Sequence, residues 1–329
     1  MYRFAAGLVA LLLLAASAAA HALSDEKQVA EAAETATESA FEARLARDQK
    51  LQDLGWRLAT ANAQFCSDAA PSIGLQLLDT ASFRRPDAIR KELGLVHDFA
   101  VLTAAARSPA NAAGLKPLEP ITHINGFELS GWAATEPFHW QRTERVHELL
   151  ETMLFLHGEV RISQPNKLDV SITGQPACPT RFELAGGQDT ALADGKRVRI
   201  SADYPAFEYS DDELAALISH ELAHNILRHR AWLDENGRKQ KNVRLTEREA
   251  DRLAPWLLAN AGFEPEAALR FMRRWGPEHS GGLFRKRTHE GWDERAEHIA
   301  AEIPLVRHAL SETGQADWRA RFEREITLP

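Results

Sequence analysis

Apolar side chains recur at Leu214, Leu217, Ile218, Leu222 and Ile226. That three-and-four spacing lines one face of an α-helix with a stripe that must be buried. Ser210-Asp-Asp-Glu213 stands just ahead of it and reads as a capping box, in which Ser and Glu side chains satisfy the first free amides. A second helix is expected to start near Thr246 and stop at Gly262, with a kink at Pro255. A third is expected from Pro265, which suits a first helical position, to Gly276; Ala268, Phe271, Met272 and Trp275 fall on one face of it as core positions. From Asp25 to Phe65 the chain is rich in Ala, Glu and Arg. It reads as one or two helices, and the stripe Leu51, Leu54, Leu58, Ala61 is expected to pack on the helices that follow.

Period-two patterns mark strands. Arg197-Val-Arg-Ile-Ser201 alternates polar and apolar residues, as a half-buried strand does. Strands are also expected at Phe99–Thr103, Glu159–Ile162 and Leu168–Ile172, and a helix over Glu144–Leu156. Asn125-Gly126 is a tight-turn signal. The pattern as a whole predicts an α+β protein.

The helix beginning after Ser210 carries His220-Glu221-Leu-Ala-His224. Residues four apart share a helix face, so both imidazoles can reach one cation, with Glu221 beside them. A carboxylate from the second helix completes a His2Glu set with one position open, the arrangement of a catalytic zinc. Glu247 and Asp251 are four apart on that helix: one can ligate while the other accepts the free N–H of a ligand histidine. Glu249 faces elsewhere and reads as a solvated surface charge.

His220 to His229 (HELAHNILRH), then EREAD at 247–251, then THEGWDER at 288–295 resemble the three signatures of the HtpX-type, CAAX-prenyl-protease-like zinc metallopeptidases, a gluzincin family. The resemblance covers about Ala193 to Val306. It implies that His220, His224 and Glu247 bind one Zn2+ per chain, that Glu221 is the general base and that Asp251 supports the site. It further implies that His289 and Arg295 hold substrate or the developing oxyanion, although Glu290 stands where the family carries Pro. In such a site zinc activates water and polarises the scissile carbonyl, and Glu221 takes the water's proton and passes it to the leaving amine. The strand at Arg197–Ser201 is a candidate to pair with an extended polypeptide substrate.

Ser108-Pro-Ala-Asn-Ala-Ala-Gly-Leu115 and Ile121-Thr-His-Ile-Asn-Gly-Phe127 resemble the middle of a bacterial PDZ domain. The departures are Leu118-Glu119, where that family usually carries Gly-Asp, and an apparent insertion over residues 79–98. The resemblance implies a module that captures a peptide or a free C-terminus, or a scaffold with a closed groove. The expected organisation is a signal peptide at 1–22, an N-terminal helical segment at 23–68, a PDZ-like β-rich domain at 69–176 and a mainly helical zincin-type peptidase domain with a small sheet at 177–329.

Met1-Tyr-Arg3 followed by an Ala/Leu-rich run and Ala20-His-Ala22 predicts a secretory signal cleaved near Ala22, hence a periplasmic protein with no span in its mature form. Cys66 and Cys178 are the only cysteines, an even pair in a compartment that permits oxidation. A bridge would close a loop of about 110 residues, on the order of 4–5 kcal/mol in the chain-entropy view; two buried thiols are the alternative. The net charge of −8, with no basic patch interleaved with aromatics, argues against nucleic acid as a partner. The expectation is therefore an endopeptidase acting on unfolded or flexible polypeptides in envelope quality control. The alternative is a PDZ-containing binding protein or chaperone with a weakly active or structural zinc site.

Overall fold

The computed structural model describes residues 41–132, 140–186, 190–279 and 291–326. The chain divides into a unit of residues 1–46 and a unit of residues 47–329. The expected signal peptide and His289 lie outside the described residues.

Helix α1 covers residues 41–61, and its part from Arg47 onward belongs to the second unit. There follow β1 (Ala70–Ser72), β2 (Leu75–Asp79), α2 (Pro86–Glu92), β3 (Phe99–Ala104), α3 (Pro109–Ala112), β4 (His123–Ile124), β5 (Phe127–Glu128), α4 (Trp140–His157), β6 (Glu159–Ser163), β7 (Val170–Thr173) and β8 (Gln175–Ala177). Next come β9 (Arg181–Ala185), β10 (Ala191–Ala193), β11 (Arg197–Ser201), α5 (Asp211–Ile226), α6 (His229–Asn236), α7 (Gln240–Asn260), α8 (Glu266–His279), α9 (Trp292–Thr313) and α10 (Trp318–Arg321). The architecture is α+β, mainly helical with small sheets.

Buried apolar side chains gather in two large clusters. One runs from Ile73 to Ile172 and is built on the pair β2–β3, the sheet β5-β4-β6-β7 and the inner face of α4. The Asn125-Gly126 turn joins β4 to β5 with both residues at positive φ (49° and 82°), the conformation that this dipeptide favours. The other cluster joins Leu51, Leu54 and Leu58 of α1 to β9, β11 and helices α5, α7, α8 and α9. Here α1 approaches β9 so closely that a Cβ on Gly55 would lie 2.3 Å from the Phe182 ring. Buried Asn62 ties the end of α1 to this cluster: it donates to Leu58 and Leu257 carbonyls and accepts from Asn260 and the Trp318 indole. Cys66 and Cys178 form a disulfide between the end of α1 and the start of the helical cluster, with Cα atoms 5.7 Å apart. Such a bond persists in oxidising compartments. Among the described residues no helix is long and apolar enough to cross a membrane.

Three expectations need correction. β11 is not an edge: it lies between β10, antiparallel, and β9, parallel. Its backbone groups are taken on both sides and cannot receive another strand, whereas β10, which packs on α5, pairs among the described residues with β11 alone. Helix α7 begins six residues before Thr246, at Gln240. Its first turn is polar and so left no apolar stripe; Asn242 anchors it by donating to the carbonyls of Asn236 and Gly237. Helix α8 continues past Gly276 to His279.

The first cluster has a charged centre. Arg142 of α4 is 3% exposed; its guanidinium is paired with Asp79 and lies 2.9 Å from Asp98 Oδ2, and it also donates to the Trp132 carbonyl at 3.1 Å. Burial raises the Asp98 pKa, but Arg142 and Thr80 outweigh it and hold the carboxyl below its ordinary range. Removing one partner of such a pair leaves an uncompensated buried charge, which costs roughly 3–5 kcal/mol. Arg142→Ala is therefore expected to lower the free energy of unfolding by about that amount in urea titration. A loss under about 1 kcal/mol would mean that Asp79 finds solvent or another partner.

Candidate metal centre

Helix α5 forms because its capping box is complete. Ser210 Oγ accepts from Glu213 N at 3.3 Å, and Glu213 Oε2 accepts from Ser210 N at 3.3 Å. Its stripe of Leu214, Leu217, Ile218 and Leu222 is buried, and this fixes the helix's rotation. His220, on the face beside Leu217, and His224 one turn further on are thereby turned toward α7. There Ala250, Leu253, Ala254 and Leu257 are buried, and Glu247 and Asp251 face the two histidines. Helix α9 packs on α7, joined to it by Arg252 and Trp256, which both donate to Glu302.

The three expected ligand atoms converge. His220 Nε2 and His224 Nε2 are 3.2 Å apart, and Glu247 carboxylate oxygens lie 3.6 and 3.5 Å from them. One atom from each of the three residues fits within a span of 4.8 Å. Each histidine is backed at its other nitrogen. Asp251 Oδ1 lies 2.9 Å from His220 Nδ1; the ring N–H is angled off that line, so the pairing is held more by charge than by ideal hydrogen-bond geometry. His229 Nδ1 lies 2.9 Å from His224 Nδ1. Arg295 of α9 donates twice to Asp251, at 2.6 and 2.8 Å, and lies 3.7 Å from Glu247 Oε2. Its guanidinium is thus engaged in holding the carboxylates of α7.

Hydrogen-bond logic sets the lone pairs. Glu249 accepts from His229 Nε2 at 3.0 Å, so a neutral His229 keeps its lone pair on Nδ1. It then accepts from His224 Nδ1, which leaves the His224 lone pair on Nε2. The Asp251 carboxylate likewise calls for a proton on His220 Nδ1. Two imidazole lone pairs and a carboxylate therefore face one another across less than 4 Å, an arrangement that needs a cation or a proton at its centre. The donor set suits zinc, with imidazole and carboxylate ligands and hydrogen-bonded partners behind them.

The electrostatics agree. Burial lowers the His220 pKa, but Asp251 and then Glu247 outweigh it and push it up to about 10. Burial, together with His220 and His229, takes His224 well below its ordinary range. The pair thus carries one proton beyond those of two neutral imidazoles, and it sits on His220. Burial raises Glu247, but the two histidines and Arg295 draw it well below the usual carboxylate range. Asp251 is held down against burial chiefly by Arg295. Glu221 differs: burial, with Glu247 and Asp251 nearby, pushes it up to about 7 despite His220 and Arg295.

The structure brings together six of the seven expected site residues: His220, Glu221, His224, Glu247, Asp251 and Arg295. Glu249 corrects the reading as a surface charge. It is fully buried and receives His229, Arg324 and two backbone amides. Periodicity put it off the face of Glu247, correctly, but could not show that Arg324–Ile326 return to cover that side. His229 was missed as well. Its only sequence signal is a third histidine five residues beyond His224.

No protein-family model, curated protein or solved structure matches the chain.

A proton on His220 must leave before a metal can bind through Nε2. Between pH 7 and 9 the group lies below its raised pKa of about 10 and is mostly protonated. Metal binding should then release about one proton, and apparent affinity should rise about tenfold per pH unit. Chelator competition at pH 7, 8 and 9, corrected for the chelator's own protonation, checks this. Asp251→Asn should flatten the slope, while Glu247→Ala should weaken binding at every pH. Affinity independent of pH in the unaltered protein would contradict the assignment of the proton.

Proposed function

We propose that this chain is a zinc-dependent endopeptidase acting on unfolded or flexible polypeptides. The observation that carries the reading is a three-ligand cluster with Glu221 beside it, a buried carboxyl poised at about 7. A structural zinc needs a closed set of four protein ligands and no base, whereas a general base works best with a pKa near the operating pH. Zinc held by His220, His224 and Glu247 would supply Lewis acidity toward a water and a peptide carbonyl. Glu221 takes the proton that the attacking water loses and returns it to the departing amine. Asp251 keeps His220 in the ligating tautomer, and Arg295 neutralises Asp251 and Glu247 so that both stay ionised in a buried setting.

We assign Arg295 to this positioning role in place of the oxyanion contact expected of it. His289 is retained as the candidate oxyanion donor. Substrate would lie extended along the free edge of β10, beside α5, since strand addition at a sheet edge is tolerant of side chains.

The module between the two cysteines supports a PDZ-like reading. Leu118 adopts φ +63°, a left-handed conformation that glycine adopts without strain and that the PDZ pattern usually fills with Gly. Glu119 beside it accepts from Gln164 and Lys167. The residues of the apparent insertion include α2. A cavity of about 650 Å3 is lined by the start of β2 (Leu75, Gln76) and by His147 and Leu150 of α4, and also by Trp56 of α1, Phe182 of β9 and Asn225 of α5; its β2–α4 side is the candidate peptide groove. His147 takes one β2 amide there, that of Leu77, at 3.4 Å. Location in an oxidising envelope compartment and a quality-control role belong to the same proposal.

The purified protein is expected to hold one zinc and to cleave a casein-like substrate, losing activity to chelator. Glu221→Gln should keep zinc and fold but lower kcat by a factor of roughly 10² or more, within the range of general-base contributions. His220→Ala, His224→Ala and Glu247→Ala should lose zinc. A Glu221→Gln protein that cleaves at the unaltered rate would remove Glu221 from the mechanism.

A further inference from the structure

A relay of contacts behind His224 extends beyond anything the proposed reaction uses directly. His224 Nδ1 meets His229 Nδ1, and His229 Nε2 meets Glu249 Oε2. His229 is 1% exposed and Glu249 is fully buried. The Glu249 carboxylate is then filled from the segment Arg324–Ile326. Arg324 donates to Oε2 from Nη2 at 2.8 Å and from Nε at 3.2 Å, and the amides of Glu325 and Ile326 donate to Oε1 at 2.5 and 2.8 Å. Arg324 also donates to the Leu227 carbonyl at the end of α5, and Arg248 and Arg252 of α7 pair with Glu325.

Glu249 and these donors could satisfy one another with an apolar residue at position 229. Instead a buried imidazole connects them to His224, and the direction of every proton in the relay follows. A carboxylate accepts only, so His229 presents N–H to Glu249 and its lone pair to His224. That lone pair holds the His224 N–H and turns the His224 ring so that Nε2 faces Glu247 and His220. Asp251 does this for His220 directly; His224 has no carboxylate at its Nδ1 and is served through a second imidazole.

We propose that His229 and Glu249 are positioning residues for the ligand His224, and that the segment Arg324–Ile326 is a working part of the centre because its guanidinium and two amides hold the Glu249 carboxylate in place. This rests on the metal reading above. Outer partners of ligating histidines typically contribute 10–100-fold in metal affinity.

The test loads the full-length protein with Co2+, following visible absorption and affinity by chelator competition, with circular dichroism to confirm folding. If the unaltered protein takes up no metal, the metal reading itself fails. If it does, folded His229→Phe should lose roughly 10–100-fold in affinity and show a shifted Co2+ spectrum. His229→Gln, whose amide can accept from His224 and donate to Glu249, should recover much of both. Arg324→Ala, at a side chain 24% exposed, tests the tail while the two backbone amides still donate to Glu249, and should lose affinity with a spectral change of the same kind. Folded His229→Phe with unaltered affinity and spectrum would overturn the role of His229. Unaltered behaviour of Arg324→Ala would overturn that of the C-terminal segment, and this variant decides the matter if His229→Phe does not fold.

Discussion

The centre depends on burying several ionisable groups between α5 and α7 without leaving a charge unanswered. Glu221, Glu247, Asp251 and Glu249 sit close to three imidazoles, most of them shielded from water. Isolated, each carboxylate would be costly to bury. Arg295 answers Asp251 and Glu247 from one side, and Arg324 with two backbone amides answers Glu249 from the other. What remains is a His–His–carboxylate triangle that still needs positive charge, and Glu221, which relieves its own burial by a raised pKa. A triangle able to hold a cation and a carboxyl raised to about 7 are thus two consequences of one desolvated setting.

The rest of the fold serves that setting. The apolar stripe of α5 fixes which way its histidines face; α9 reaches across α7 with Arg295 and Glu302; and α1, tied by Asn62 and the Cys66–Cys178 bridge, covers the far side of the helical cluster. The β-rich cluster has its own charged pin, Arg142 on Asp79 and Asp98. Apart from the apolar stripe and the disulfide, each device is a buried polar group with its partners supplied from distant parts of the sequence.

That explains what the sequence disclosed. The capping box at Ser210, the stripe of α5, the Asn125-Gly126 turn and the strands at β3, β6 and β11 are local patterns, and the structure has them. The pairs His220/His224 and Glu247/Asp251 were legible because helical spacing is itself a statement about three-dimensional proximity; that Glu247 converges on both histidines was implied by the resemblance. Glu249 was misread because most of its partners, Arg324 and the amides of Glu325 and Ile326, lie 75–77 residues further along the sequence. β11 was misread as available for a partner strand because alternation reports one buried face and says nothing about the two edges. The polar first turn of α7 escaped because it has no stripe to find.

The central claim, a single zinc on two imidazoles and one carboxylate, is tested most directly by X-ray absorption at the zinc edge on the purified, unaltered protein. The account predicts about one zinc per molecule, two imidazole nitrogens near 2.0–2.1 Å with oxygen completing the shell, and no sulfur. A sulfur shell near 2.3 Å, or a protein that retains no stoichiometric zinc, would contradict it.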